Sequence, residues 1–374
     1  MAIATVNRPC YCTREEVMRA LDIKAAAYTS QQVDRKLNNA SDTIDALAQR
    51  CFYATTATHT WDWPNYQYAY PWRLWLDQLE MAAQPTLVVS GTYLPTPVVI
   101  PSTDYFMQPI NEGPPYTSIE LRRDQNSAFG NNTTPQNDIG ITGQFGFWMN
   151  TVPAGTISAP ITTTTQTTVQ MSAGALAGPG VGDVMTVDSE RMLITDCNYI
   201  STGISTTGSG GNSALANDNT LSVPDGTQFN AGEILLLDSE WMLLQAVFGN
   251  NLLVKRAWGG SVLSTHLNPP IWANRLLTVT RGALGTTATT HLTSAPAVIN
   301  EVPGMVKELA IATATIGMVN EPAAYSVATT ASWYGSNARQ NTSQKEAAPG
   351  VGYQGMLMMF EQSIFTRKAR SRVI

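Results

Sequence analysis

A pattern that occurs twice in the middle of this chain restricts its fold more than any other feature. Gly182–Ile194 (GDVMTVDSERMLI) matches Gly232–Leu244 (GEILLLDSEWMLL) at an offset of 50 residues. The continuations of the two copies match at a different, constant offset of 25: Leu252–Arg256 followed by His266, and Leu277–Arg281 followed by His291. Repetition at a fixed spacing indicates a duplicated structural unit.

The change of offset predicts that one unit is inserted inside the other. Unit one comprises residues 168–200 and 275–300, and unit two, residues 214–273, lies between its two parts. Folded domains tolerate insertion at an exposed loop tip. Apolar residues alternate along both copies, so each unit is predicted to be a small antiparallel β structure.

Acidic residues shared by the two copies lie where one alternating strand ends and the next begins, which is typical of hairpin tips. These residues are Asp188, Glu190, Asp238 and Glu240. Acidic tips bind cations in some proteins, but we favour solvated turn residues. The run from Arg281 to His291 lacks the Lys-Ser/Thr pair of a phosphate-binding loop. We therefore expect a turn in which His291, like its counterpart His266, has a structural role and closes the strand by hydrogen bonding.

A long amphipathic helix is predicted nearer the N-terminus, over residues 30–52. Its apolar residues recur at spacings of three and four and form one stripe, with Val33, Leu37, Ile44 and Leu47 as its core positions. A helix of this length spans about 33 Å, close to the width of a small domain. The stripe must therefore be covered by other elements.

Three further helical segments are available to cover it. The first, Arg14–Leu21, follows a capping box in which Thr13 and Glu16 satisfy free backbone N–H groups. The other two, residues 303–319 and 353–368, lie far downstream and carry apolar residues at helical spacing. The two ends of the chain are therefore expected to be helical and to pack together.

Between these ends the pattern favours β structure. Residues 53–149 contain short runs of β-branched and aromatic residues broken by Pro, Gly and Asn, which predicts an antiparallel β domain. We interpret the Thr- and Pro-rich stretch 150–168 as a linker, and the polar stretch 320–352 as a mobile loop or as an arm that a neighbour orders. The predicted fold class is α+β, with four parts: helices (1–52), β domain (53–150), inserted β module (151–302), and C-terminal helices, loop and basic tail (303–374).

Composition limits the functions that this chain can perform. Charged residues make up 13% of it, and 22 Lys and Arg against 28 Asp and Glu give a net charge of −6, which argues against a surface that grips phosphates. The four cysteines form no CxxC pair, and with three histidines they predict neither a metal site nor a cofactor. No signal peptide or membrane span is expected, so the protein should be made in a cytoplasm.

No arrangement of catalytic residues can be recognised. A GxSxG elbow and an HExxH helix are both absent from the sequence, and two of the three histidines are repeat counterparts. The tryptophans of the β domain could stack on a sugar or a base, but core and subunit-contact roles are favoured. We therefore expect a protein that is not an enzyme.

The order of these segments resembles the head-to-tail adaptor (connector) proteins of tailed bacteriophages. The resemblance covers about two thirds of the chain. It rests on the first two helices, a late helix with a basic tail, and five aromatic or β-rich segments: Thr60–Pro64, Trp72–Leu76, Asp104–Pro109, Pro115–Leu121 and Ile141–Gly146. The nested β units are an elaboration that simpler adaptors lack.

The resemblance implies a structural protein of the virion neck, made in the bacterial host. Such adaptors form a ring, typically of twelve copies, between the portal protein and the next neck or tail protein (stopper or tail terminator). Double-stranded DNA passes through the lumen without specific binding. The C-terminal segment is implied to contact the portal, through Phe360, Ile364, Phe365, Arg367, Lys368, Arg370, Arg372 and Ile374.

A β-rich virion module that binds a receptor or a glycan is the alternative. It is suggested by the tryptophans and the repeated units, although within those units Trp241, Trp258 and Trp272 all belong to unit two.

Overall fold

The computed structural model describes residues 6–22, 28–64, 70–173, 179–207, 218–331 and 356–362, with the backbone alone for 320–331. Helices from both ends of the chain pack together, and antiparallel β-sheets lie between them in sequence. The predicted α+β class is therefore confirmed.

The first two helices begin at the residues that the sequence predicts. Helix α1 (Arg14–Leu21) starts after Thr13, whose hydroxyl and the Glu16 carboxylate complete the predicted capping box. Helix α2 (Ser30–Ala48) has a second capping box, between Thr29 and Gln32. It ends four residues before the predicted end, because Gln49 adopts the left-handed conformation (φ 52°) and so terminates the helical hydrogen bonding.

The apolar stripe of α2 forms the centre of the helical core. Val33, Leu37 and Ile44 are buried, whereas Leu47 is half-buried at the margin. The residues that cover the stripe come from α1, from α3 (Gly304–Ala331) and from helical residues 356–362: Val17, Leu21, Val306, Leu309, Ala310, Ala314, Met318 and Phe360. The predicted packing of the two ends of the chain is thus confirmed for the described residues.

The third helix is longer than predicted. Its backbone remains helical to Ala331, whereas we expected a loop from residue 320. The added segment, EPAAYSVATTA, combines four alanines, which favour the helix, with Pro322 and two threonines, which disfavour it. The rest of the predicted loop, 332–352, lies outside the described residues.

Two small antiparallel sheets form the predicted β domain. In the four-stranded sheet, the order is β1 (Thr55–Trp61), β7 (Ile139–Phe145), β3 (Leu87–Ser90) and β4 (Val98–Val99), so β1 and β4 are its edges. The three-stranded sheet has the order β2 (Arg73–Trp75), β6 (Ser118–Leu121) and β5 (Tyr105–Gln108). Side chains from both sheets form one hydrophobic core. This core includes Trp61 and Trp63, which confirms a core role for these two tryptophans.

The predicted linker at 150–168 is partly wrong. Strand β8 (Asn150–Thr156) pairs with β17 (Pro296–Glu301) at one edge of a ten-stranded sheet. Its Ala154 is buried in the core of unit one. The Thr- and Val-containing stretch therefore has the β propensity of an edge strand, and the Pro at 153 is tolerated there because edge strands lack one set of ladder bonds.

Both repeated units belong to the ten-stranded sheet. The other strands of this sheet are β9 (Thr168–Gln170), β10 (Val184–Val187), β11 (Glu190–Ser205), β12 (Thr220–Ser222), β13 (Ile234–Leu237), β14 (Glu240–Phe248), β15 (Asn251–Lys255) and β16 (Pro270–Thr280). Nine of its strands run in the order β12-β15-β14-β13-β16-β11-β10-β17-β8, with β9 also pairing to β16.

Strand pairing in unit one is reproduced in unit two at the offsets read from the sequence. Val184 pairs with Leu193 as Ile234 pairs with Leu243, and both second strands carry a bulge two residues further on. Strand β16 belongs to both units: its first half pairs with β13 and its second half with β9. Each unit nevertheless has a hydrophobic core of its own.

Unit one is fixed to the helical core by backbone and ionic contacts. Arg14 N–H donates to the Val181 carbonyl (3.0 Å), and the Glu15 carboxylate accepts from Val181 N–H (2.9 Å). The Arg14 guanidinium binds both Asp34 of α2 and Asp196 of β11. Three parts of the chain that are remote in sequence are therefore joined at one side chain.

Candidate functional site

The predicted hairpin tips are the first candidate site, and in unit one the tip forms a closed polar cluster. Glu190 lies fully buried behind the tip and accepts two hydrogen bonds from the Arg281 guanidinium (2.6 and 2.7 Å). It also accepts from the backbone N–H of Gly282 (3.1 Å) and Thr289 (2.9 Å). His291 bridges the two acids, with Nε2 2.9 Å from Glu190 and Nδ1 2.7 Å from Asp188.

Unit two contains the same cluster with nearly the same distances. Glu240 accepts from Arg256 (2.8 Å twice) and from the backbone N–H of residues 257 and 264. His266 lies 2.9 Å from Glu240 and 2.7 Å from Asp238. The expectation that each histidine closes its turn by hydrogen bonding is confirmed.

The electrostatics of these clusters correct our interpretation of the tips. Asp188 and Asp238 are exposed as expected, but Glu190 and Glu240 are buried ion-pair partners and not solvated turn residues. Burial alone would raise the pKa of both glutamates. Hydrogen bonds from arginine, backbone N–H and histidine outweigh that effect and lower each pKa to about 2. Both carboxylates are thus ionised and engaged in holding loops together.

The predicted portal-contacting segment, residues 360–374, is the second candidate site, and the prediction is wrong for one of its residues. We expected Phe360 on the portal-contacting surface, but its side chain is fully buried and its ring lies 6.3 Å from that of Phe52. It is a core residue because it completes the cover of the α2 stripe. The other predicted contacts, Ile364, Phe365, Arg367, Lys368, Arg370, Arg372 and Ile374, lie outside the described residues.

A third candidate is a cleft of about 960 Å³ between the three-stranded sheet and the start of α3. Aromatic, proline and polar residues line it, together with two ion pairs: Arg50 with Glu80, and Arg73 with Glu120. The Arg50 guanidinium also lies over the Phe147 ring, 4.7 Å from its centroid. This cleft could not be predicted from the sequence, because its walls come from six separate segments of the chain.

A smaller acidic cavity lies where α1 meets unit one. Glu15, Glu16, Asp183 and Lys307 line it, and Lys307 forms an ion pair with Glu16 (2.6 Å). Burial raises the pKa of Asp183 to about 7; Glu16 and Glu15 add to the rise, whereas the Gly180 N–H and Lys307 oppose it. This carboxyl group therefore changes its charge near neutral pH.

Two further findings concern the described residues as a whole. Among them, no three His, Cys, Asp or Glu side chains are arranged to hold a metal ion. Within the same residues, no helix combines the length and the apolar character needed to cross a bilayer. The tryptophans of unit two divide into the buried Trp258 (5% exposed) and the half-exposed Trp241 (38%) and Trp272 (40%).

Comparison with known proteins gives no family for this chain. No protein-family model, no curated protein and no solved structure matches it.

Proposed function

We propose that this chain is a structural protein of a phage virion, a head-to-tail adaptor that forms a ring beneath the portal and lets DNA pass to the tail. The observation that carries the proposal is the packing of the N-terminal helices α1 and α2 against α3 and residues 356–362. Residues 356–362, which precede the basic tail in the sequence, thus pack on the helical core, and the β domain lies between the helices in sequence. That order of elements is the one on which the resemblance rests.

Charge supports a role in which DNA passes without adhering. Twelve chains of net charge −6 would sum to about −72, and an acidic lumen repels a sliding duplex. The buried arginines of the two units are neutralised by Glu190 and Glu240, so these cations are not available to phosphates. The proposed mechanism is geometric, and the protein supplies a channel and two faces for assembly.

We further propose that the sheet module arose by duplication, with unit two inserted into unit one. The matched strand register, the matched bulges and the twin Glu-Arg-His clusters support this origin. In the assembled ring the module would project outward or downward, as decoration or as a contact for the next neck protein.

The test is mass determination of the purified chain, alone and mixed with portal rings, followed by negative-stain imaging. Rings, formed alone or only on the portal, are expected. Removal of residues 363–374 should abolish portal binding while the fold is kept, because Phe360 and the helical core remain. A chain that stays monomeric and ignores the portal would overturn the adaptor proposal.

Glycan binding remains the alternative, favoured by one observation. Trp241 and Trp272 both pair with Leu236, one on each neighbouring strand, so two half-exposed indoles lie on the same face of the sheet. Saturable binding of a glycan by the intact chain, lost on Trp272→Ala, would support this function.

A further inference from the structure

Unit one packs against one edge of the four-stranded sheet, so one face of a repeated unit can bind the edge of this sheet. Arg191 of β11 donates a hydrogen bond to the carbonyl oxygen of Ala54, just before edge strand β1. The turn Ala283–Gly285 lies against the same strand, so closely that a Cβ on Gly285 would overlap the Thr56 carbonyl group. The β1 edge is thus covered within the chain.

Unit two has the same turn, built in the same way. Its turn Trp258–Gly260 is the counterpart of Ala283–Gly285, and both follow a residue in the left-handed conformation. The hydroxyl of Ser261 accepts from Trp241 N–H (3.0 Å), as the hydroxyl of Thr286 accepts from Arg191 N–H (3.0 Å). The face that contacts β1 in unit one is therefore present a second time.

The buried Trp258 and the contact of Gly259 with Met18 of α1 cover part of this second face, and its exposed part is apolar. Trp241 takes the place of Arg191; it stacks on Tyr199 and remains 38% exposed. Val262 is 77% exposed and Leu263 44%, where unit one has the smaller or more polar Thr287 and Ala288. Exposed apolar side chains grouped in this way mark interaction sites.

The opposite edge of the four-stranded sheet is exposed as well. Among the residues that the structure describes, strand β4 pairs only with β3, and its Val98 and Val99 are 47% and 56% exposed. Leu87 of β3, two residues along from the partner of Val99, is 43% exposed. An open sheet edge with apolar side chains is a site for pairing with another chain.

We propose that unit two of one copy docks on the β4 edge of a second copy of this chain. The occupant is identified by the contact inside the chain, where the equivalent face of unit one covers the other edge of the same sheet. The two surfaces differ, so the contact is head-to-tail and repeats from copy to copy. Contacts of this kind close into rings when the rotation between copies permits. The inference rests on the proposed function, for which it names the subunit interface.

The test is sedimentation equilibrium of the full chain and of three variants. Val99→Asp alters the β4 edge, Val262→Asp alters unit two, and Thr287→Asp is the matched control at the equivalent position of unit one. All three positions are exposed, so thermal melting should be unchanged. We expect each of the first two variants to weaken self-association more than about tenfold, and the control to assemble like the wild type.

Mixing the first two variants gives the sharper result. Each keeps one intact surface, so an equimolar mixture should form dimers and stop there. Wild-type assembly by either variant, or a mixture without dimers, would overturn this contact while rings of the wild type would still support the adaptor function. A wild type that stays monomeric with and without the portal would overturn both proposals.

Discussion

Replacing Glu240 by Gln should destabilise unit two and leave unit one intact. The glutamate is fully buried and accepts from Arg256, His266 and two backbone N–H groups. Its pKa falls from the ordinary 4.5 to about 2, and each unit of pKa corresponds to about 1.4 kcal/mol. The ionised carboxylate therefore stabilises the folded state by about 3 kcal/mol at neutral pH.

The sign of the pH dependence follows from the direction of this shift. A carboxyl group whose pKa is lowered on folding stabilises the protein above its unfolded pKa, and the contribution is lost as pH falls from about 4.5 towards 2. Glu240→Gln should therefore cost about 3 kcal/mol or more at pH 7, because an amide also places N–H donors against N–H donors. Near pH 2 the variant and the wild type should converge.

Hydrogen exchange followed by mass spectrometry is the assay, because it reports each unit separately. In Glu240→Gln, exchange over residues 234–255 should rise on the order of a hundredfold at pH 7, while residues 184–194 stay protected. Glu190→Gln should give the reverse pattern. Asp124→Asn, which breaks an exposed pair with Arg122, is the control and should change little. Equal exchange in both units, or no change at all, would refute the assignment of these clusters as separate local supports.

Three further predictions concern the core, the acidic cavity and the insertion. Ile44→Ala should lower the free energy of unfolding by about 2–5 kcal/mol in urea titrations, because it opens a cavity in the helical core; a loss below 1 kcal/mol would contradict this. Asp183 has a raised pKa, so the folded state should lose stability as this carboxyl group ionises between pH 4 and pH 7, by up to about 4 kcal/mol. The melting temperature of Asp183→Asn should therefore depend less on pH over that range than that of the wild type. An equal pH dependence in the two proteins would contradict this prediction. Deleting residues 214–273 should leave unit one folded, since the two units have separate cores, and global unfolding by circular dichroism would argue against the nesting.

Features set by local chemistry could be predicted from the sequence. The capping box at Thr13 fixed the start of α1, and the stripe through Leu37 identified the face of α2 that is buried. The constant offsets placed His266 and His291 at equivalent positions, which the matched hydrogen bonds reproduce. These signals need only a few neighbouring residues or a repeat.

Features set by distant partners could not be predicted. Glu190 is buried because it pairs with Arg281, and the whole of unit two separates these two residues in the sequence. The burial of Phe360 depends on Phe52, at the other end of the chain. Strand β8 was missed because its partner, β17, follows it by more than a hundred residues, and a Thr- and Pro-rich segment is ambiguous without that partner.

The paired strands that join the two units also set the distance between them. Strand β11 leads out of unit one, β16 returns from unit two, and their antiparallel pairing continues as far as Ser205 and Pro270. Because side chains alternate along such a ribbon, adding two residues to each strand would move unit two outward by about 6.6 Å without changing the face that it presents. Adding one residue would turn that face over. Related proteins in which this distance differs should therefore differ in each of these strands by an even number of residues, because only such changes keep the same face of unit two in the same direction.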